Sequence, residues 1–152
     1  MDATLRPIAW VRSTRLETID DSWGAETSRI VLDDNVPTEA IAGIETFSHL
    51  DVIAVADQAS DVPPGPWSRH PRGNPHWPAV GIFAQRNKDR PNRLLLTSVR
   101  LVEVRDRQLL VSGLDLIDGT PIVDIKPVFR WTTAHGDITA PSWSDELGEN
   151  YF

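Results

Sequence analysis

The sequence contains no cysteine. That excludes disulfides, thiolate-ligated zinc and a cysteine nucleophile, and it fits a reducing compartment. No apolar run approaches the ~20 residues that cross a bilayer as a helix. The opening MDATLRPIAW has neither the charged nor the apolar region of a secretory signal, so a cytoplasmic protein with no membrane partner is expected. Positive charge is scarce: 15 Lys and Arg stand against 22 Asp and Glu, a net charge of −7. Broad nucleic-acid binding leaves a basic footprint, so only a local patch could serve that purpose. There is no G-x-G-x-x-G after a strand and no Walker A loop, which removes the Rossmann and P-loop phosphate sites. The histidines form no His-x-x-x-His pair. His70 and His76 share one segment without an acidic ligand nearby, so they read as packed or solvated, and no metal site is expected.

What is present suits one domain with one core over residues 1–152. Twelve prolines and nine glycines, with no sustained helical period, keep every element short. Strands are expected at Ile8–Arg12, Ser28–Leu32, His49–Ala56 and Ala79–Gln85. Leu94–Val104 and Gln108–Gly113 read as a hairpin about the turn Arg105-Asp106-Arg107, and Ile122–Ile125 as a last strand. Within the hairpin, Thr97, Val99 and Leu101 share one face, with Ser98 and Arg100 on the other. Strands this short and numerous predict a mainly β protein, a barrel or a sandwich. One short helix is expected over Pro37–Ala42, stopped by Gly43 and capped by Thr38 or Asn35. Asp61–Pro78 is too rich in proline for regular structure. Its Trp67, Trp77, His70 and His76 argue for a functional loop over plain disorder. The tail after Trp131 reads as irregular, yet Trp143, Leu147, Tyr151 and Phe152 predict that it docks.

Two segments carry chemistry. Gly81 to Arg93 is a strand running into a turn with Arg86, Lys88, Arg90 and Arg93. Guanidinium groups suit a carboxylate or phosphate, and the competing reading is a solvated turn. Gly113 to Pro127 alternates Asp115, Asp118 and Asp124 with bulky apolar residues. Carboxylates against apolar walls are paired, or they bind hydroxyl and ammonium groups. Lys126 or Arg86 would be the partner in the purely structural reading. Asp118-Gly119 by itself reads as a β-turn.

Together these segments resemble the TrmO-like (TsaA-like) family of S-adenosylmethionine-dependent tRNA methyltransferases. Gly81-Ile82-Phe83-Ala84-Gln85-Arg86, then Arg90-Pro91-Asn92, is similar to one signature of that family. Gly113-Leu114-Asp115-Leu116-Ile117-Asp118-Gly119-Thr120-Pro121-Ile122-Val123-Asp124-Ile125-Lys126-Pro127 is similar to the other. Ile8 to Ser13 and Phe47-Ser48-His49 extend the resemblance over residues 6–130. It implies a single-sheet β-barrel with one short helix and long irregular loops. It also implies S-adenosylmethionine as cofactor and a homodimer with the pocket near its interface. The founding activity is methylation of N6 of N6-threonylcarbamoyladenosine in tRNA.

Carried over by position, the resemblance implies a cofactor site of Gly24, Asp57, Gln58, Arg86, Leu96, Ser112, Gly113, Leu114 and Asp115. Asp115, Asp118 and His49 are candidates for a base. Arg69, Arg72, Arg90 and Asn92 are candidates for acceptor contacts, with Trp67 or Trp77 stacking on a base. Three departures stand out. Leu94-Leu95-Leu96 replaces a stretch where glycine is usual at the position of Leu95, which predicts a narrowed or reshaped pocket. Asp57-Gln58 stands where His is usual before Gln or Arg. The sequence also ends at residue 152, short of the C-terminal domain of longer bacterial members. Three function classes follow. The first is methyl transfer to tRNA or to a related small molecule. The second is a module that binds the nucleoside without turnover, or an enzyme that cleaves or cyclises the cofactor. The third is an all-β interaction protein that binds no cofactor.

Overall fold

Alternating apolar residues in six segments close into one barrel. The structure, a computed structural model, describes residues 4–17, 19–59 and 65–152. In chain order the strands are β1 Ala9–Arg12, β2 Thr27–Leu32, β3 His49–Val55, β4 Ser68–Arg69, β5 Val80–Gly81, β6 Leu94–Arg105, β7 Gln108–Ser112 and β8 Pro121–Pro127. The barrel runs β1-β2-β7-β6-β3-β8 and back to β1, and every pair is antiparallel. β4 and β5 form a separate two-stranded sheet. The single-sheet barrel expected from the resemblance is therefore the observed fold.

Every second residue points inward. Val11, Ile30, Leu50, Val52, Val99, Leu109, Val111 and Ile122 are essentially without solvent exposure, and each such side chain contributes about 1.5–3 kcal/mol through burial. Thr97, Val99 and Leu101 do share the inner face of β6, with Ser98 and Arg100 outside. A bulge between Leu101 and Glu103 then shifts the register against β7. The extra residue lets Leu101 and Val104 both pack on the core while Val102 stays exposed. Leu95 also packs on this core, opposite Ala54. The leucine that replaces glycine thus serves the barrel wall.

Several expectations are corrected. Pro37–Ala42 is no α-helix. It is a 3-10 turn over Thr38–Ile41, with Pro37 at the cap position and no side-chain cap. It ends at the extended Ala42, and Gly43, at φ +84°, then opens a second 3-10 turn over Ile44–Thr46; segments this short cannot repay α-helix nucleation. Ala79–Gln85 is not one strand either. After β5 the chain makes a 3-10 turn over Ile82–Ala84 that drives Ile82 into the interior. The proline-rich segment contains β4 and a 3-10 turn at Pro71–Gly73, so part of it is regular, and its stretch 61–64 lies outside the described residues. Among the described residues the α-helix sits in the tail: α1, Ser142–Gly148, follows Pro141. Trp143 and Leu147, four apart, form its half-buried stripe. Among the described residues no helix is long and apolar enough to cross a membrane.

Candidate functional site

The second signature begins where β7 ends. Gly113, at φ +77°, turns the chain in a conformation that disfavours a side chain. Leu114 is fully buried and anchors the turn, which presents Asp115 at the inner face of β6. There the Thr97 hydroxyl donates to one carboxylate oxygen and the Tyr151 phenol donates to the other. Among the described residues the partners of Asp115 are thus two hydroxyls and no cation. Lys126 Nζ lies 2.6 Å from Asp124 Oδ2, and Arg86 goes elsewhere. Burial, then the bond to Asp115, pushes the Tyr151 phenol well above its ordinary value, so it remains a donor.

The first signature arrives from the other side. Gln85 is buried, and its Nε2 donates to the carbonyls of Arg69 at 2.9 Å and Val80 at 3.0 Å. This pins the turn, and the next side chain, Arg86, reaches β6, donating from Nη2 to the Leu96 carbonyl at 2.8 Å. Arg86 and Asp115 therefore converge on consecutive residues, Leu96 and Thr97. Asp57 and Gln58 are exposed in the turn after β3, where the Ala56 N–H donates to the Arg93 carbonyl at 2.9 Å. They flank the start of β6, since Val55 pairs with Leu94.

The Gly24 loop is built by a residue that sequence reading missed. Arg15 donates from Nε to Glu26 at 2.9 Å, and from its Nη atoms to the carbonyls of Asp21 at 2.9 Å and Ser22 at 2.7 Å. Its guanidinium lies 4.2 Å over the buried Trp23 ring. Across this loop runs a C-terminal strap, residues 142–152. The N–H groups of Ser22 and Trp23 donate to the carbonyls of Asn150 at 2.9 Å and Tyr151 at 2.8 Å. A methyl group on Gly24 would fall 2.6 Å from the carbonyl carbon of Phe152. Farther back, Trp77 Nε1 donates to Glu146 at 2.8 Å, and the Trp77 and Trp143 rings lie 6.4 Å apart. The tail does dock, and it docks on the segment of the two loop tryptophans.

The remaining candidates are placed as follows. Asp118 accepts the Ser13 N–H at 3.0 Å while its own N–H donates to the Arg15 carbonyl at 2.8 Å, a clasp between the turn before β8 and the segment after β1. His49 is exposed beside the Ser48 hydroxyl, at the far end of β3 from Asp57, a strand of about 20 Å. Arg69 is paired with Asp89 at 3.1 Å, and Arg72 with Asp21 at 2.7 Å. Arg90 donates to the Gln85 carbonyl at 2.9 Å, and Asn92 is exposed. His70 Nδ1 donates to the Trp77 carbonyl at 2.6 Å. Among the described residues, no three His, Cys, Asp or Glu gather as metal ligands. Thr97 had one legible signal, a polar residue on an otherwise apolar face. Arg15 and the pairing of Tyr151 with Asp115 had none.

The donor set fits a ligand bearing hydroxyl or ammonium groups. A carboxylate offers about four lone-pair positions, and Thr97 and Tyr151 each take one. The backbone of Ser112 to Leu114 lies alongside, and Arg86 retains further N–H groups for a carboxylate.

Comparison with known proteins identifies the family. Residues 20–133 match the family described as the tRNA-methyltransferase O N-terminal domain. A tRNA (adenine(37)-N6)-methyltransferase of Escherichia coli is 40% identical over 108 residues, covering 67% of this chain and 45% of that protein. A probable S-adenosyl-L-methionine-binding protein of Methanothermobacter thermautotrophicus is 32% identical over 140 residues, covering 86% of this chain and 93% of that one. The crystal structure of TrmO from Pseudomonas aeruginosa superposes with a TM-score of 0.73 at 29% identity, covering 91% of this chain and 62% of that one. The chain spans about half the length of the bacterial curated relatives it matches.

Proposed function

We propose a function from one premise: the chain belongs to the tRNA-methyltransferase O N-terminal-domain family. On our reading it is an S-adenosylmethionine-dependent methyltransferase acting on the N6 atom of an adenine in tRNA, and the finer acceptor is N6-threonylcarbamoyladenosine. The observation that carries this is the meeting of both signature segments on Leu96 and Thr97, through Arg86 and Asp115. The cofactor supplies a methyl group already activated on a sulfonium. The protein's task is then to hold the reactants in line and keep them there. Asp115 takes a hydroxyl or ammonium group, the backbone of 112–114 reads the adenine edge, and Arg86 faces the carboxylate end. Of the three candidate bases, only Asp115 is bonded into this cluster.

Homodimerisation and a cytoplasmic location belong to the same proposal. Leu94 and Leu96 are exposed on the outer face of β6 beside Arg86, and neighbouring apolar side chains left in solvent there support a subunit contact near the pocket. For the tRNA backbone, Arg12 and Arg29 are better placed than Arg69 and Arg72. They face each other across β1 and β2 and line a concavity of about 250 Å³ with Thr14, Thr27 and Asp118. Neither forms an ion pair among the described residues.

A second reading has its own support. Arg69, Arg72 and Arg90 are committed within the molecule, which favours a small acceptor over a polyanion. One experiment separates the two. The protein is incubated with methyl-labelled S-adenosylmethionine and tRNA lacking only this modification. Label in the N6 position supports the tRNA reading. In a parallel arm a small-molecule cell extract replaces the tRNA: S-adenosylhomocysteine with the label in a small molecule of that extract moves the assignment to a small acceptor, and a thioether such as methylthioadenosine formed in either arm moves it to cofactor cleavage.

A further inference from the structure

The C-terminal strap reaches three positions that the family resemblance assigns to the cofactor. Phe152 abuts Gly24 through its backbone, and its ring edge lies 3.9 Å from where a Cβ on Gly113 would stand. Tyr151 bonds Asp115 directly. The strap is held to the Gly24 loop by two backbone hydrogen bonds and to the Trp77 segment by a side-chain bond and ring packing. The phenol could be removed and the strap would stay.

We propose that Tyr151 is a positioning residue for the cofactor: delivered by the strap, it fixes the Asp115 carboxylate from the side opposite Thr97. A carboxylate on a turn has free rotation about its last bond. With one hydroxyl on each oxygen, that rotation is stopped and the remaining lone pairs point in a set direction. A site held this way need not be ordered by its ligand at binding. Phe152 is 66% exposed, so it lies over the rim; a plug would bury its ring. The strap thereby makes a wall of the site and leaves the carboxylate able to accept further bonds. The inference rests on the reading of Asp115 as a cofactor ligand.

The test uses the full chain and S-adenosylhomocysteine as probe, with affinity measured by calorimetry for wild type, Tyr151→Phe, Asp115→Asn and the double variant. Tyr151→Phe should weaken binding roughly tenfold, with the melting temperature nearly unchanged. In the Asp115→Asn background the same change should have little further effect, because the two act as one unit. Tighter binding by Tyr151→Phe would show that the phenol competes with the ligand, and would overturn the proposal. So would an undiminished effect in the Asp115→Asn background, or no effect at all while Asp115→Asn alone weakens binding. If Asp115→Asn binds as wild type, the site assignment itself fails, and the proposal with it. Should Asp115→Asn not fold, Asp115→Ser replaces it in the cycle.

Discussion

The Arg15 guanidinium lies 4.2 Å above the Trp23 ring while its N–H groups hold Glu26 and the carbonyls of Asp21 and Ser22. One side chain therefore sets the shape of the whole Gly24 loop. Lysine keeps the charge but loses the fork. Arg15→Lys is expected to cost about 2 kcal/mol of stability and to weaken S-adenosylhomocysteine binding, because the loop no longer holds its form. Denaturant unfolding and calorimetry check the two effects.

Gly24→Ala probes the strap. The added methyl would sit 2.6 Å from Phe152 backbone, a distance that cannot be kept. The barrel core is untouched, so the expected result is a strap that detaches from an intact barrel. Limited proteolysis should then cut between residues 131 and 150 while the far-ultraviolet spectrum stays as in wild type. A protease-resistant Gly24→Ala strap would show that the close approach is not needed.

Tyr151 gives the strap a dependence on alkali. Its phenol is raised above the ordinary value of 10.0 in the folded state. A raised pKa stabilises the protonated form, so this contribution is complete below pH 10 and fades as pH climbs beyond it. Strap docking, followed by tryptophan emission between pH 8 and 12, should weaken only at the upper end. In Tyr151→Phe that alkaline loss should be absent. Identical curves would detach the effect from this residue.

Ser28 carries a hydroxyl inside the barrel that has no hydrogen-bond partner among the described residues. Leaving such a group unsatisfied costs about 1–3 kcal/mol. Ser28→Ala removes the oxygen and little volume, so it is expected to raise stability by about 1 kcal/mol, read from the denaturation midpoint.

Arg12 and Arg29 oppose each other across β1 and β2, and like charges so placed destabilise a sheet. Arg29→Glu is expected to hold or raise the melting temperature. If the tRNA reading is right, the same change weakens tRNA binding and lowers the salt slope by about 1. A slope equal to that of wild type would remove this face from the substrate contact.

Period-two alternation made β6 legible as far as Leu101, because each side chain there sees the same core on every second residue. The bulge at Leu101 and Glu103 was not legible, since nothing local distinguishes an extra residue from a continuing strand. The short helix after Pro37 is legible in place but not in type, because its start and stop signals stand too close together for an α-helix, and a 3-10 turn fills the space. α1 is not legible as a helix, because its one local sign is the pair Trp143 and Leu147 behind Pro141. In the site, both signature segments were visible as dense runs of charge among apolar residues. The partner of Asp115 was not, because Tyr151 lies 36 positions away in the chain and no local pattern encodes such a meeting.

The barrel has one lightly stitched stave. β3 and β6 share seven paired positions, whereas β1 and β8 share two. Around that short seam, the Gly119 N–H bonds the Val11 carbonyl, and Asp118 grips Ser13. Thermal breathing should therefore begin there, with the amides of Ile8 and Val11 trading hydrogen for deuterium sooner than those of β3. The aspartate beside Gly119 then works as a latch on the cylinder, and trimming it should quicken that exchange before it changes anything at Asp115.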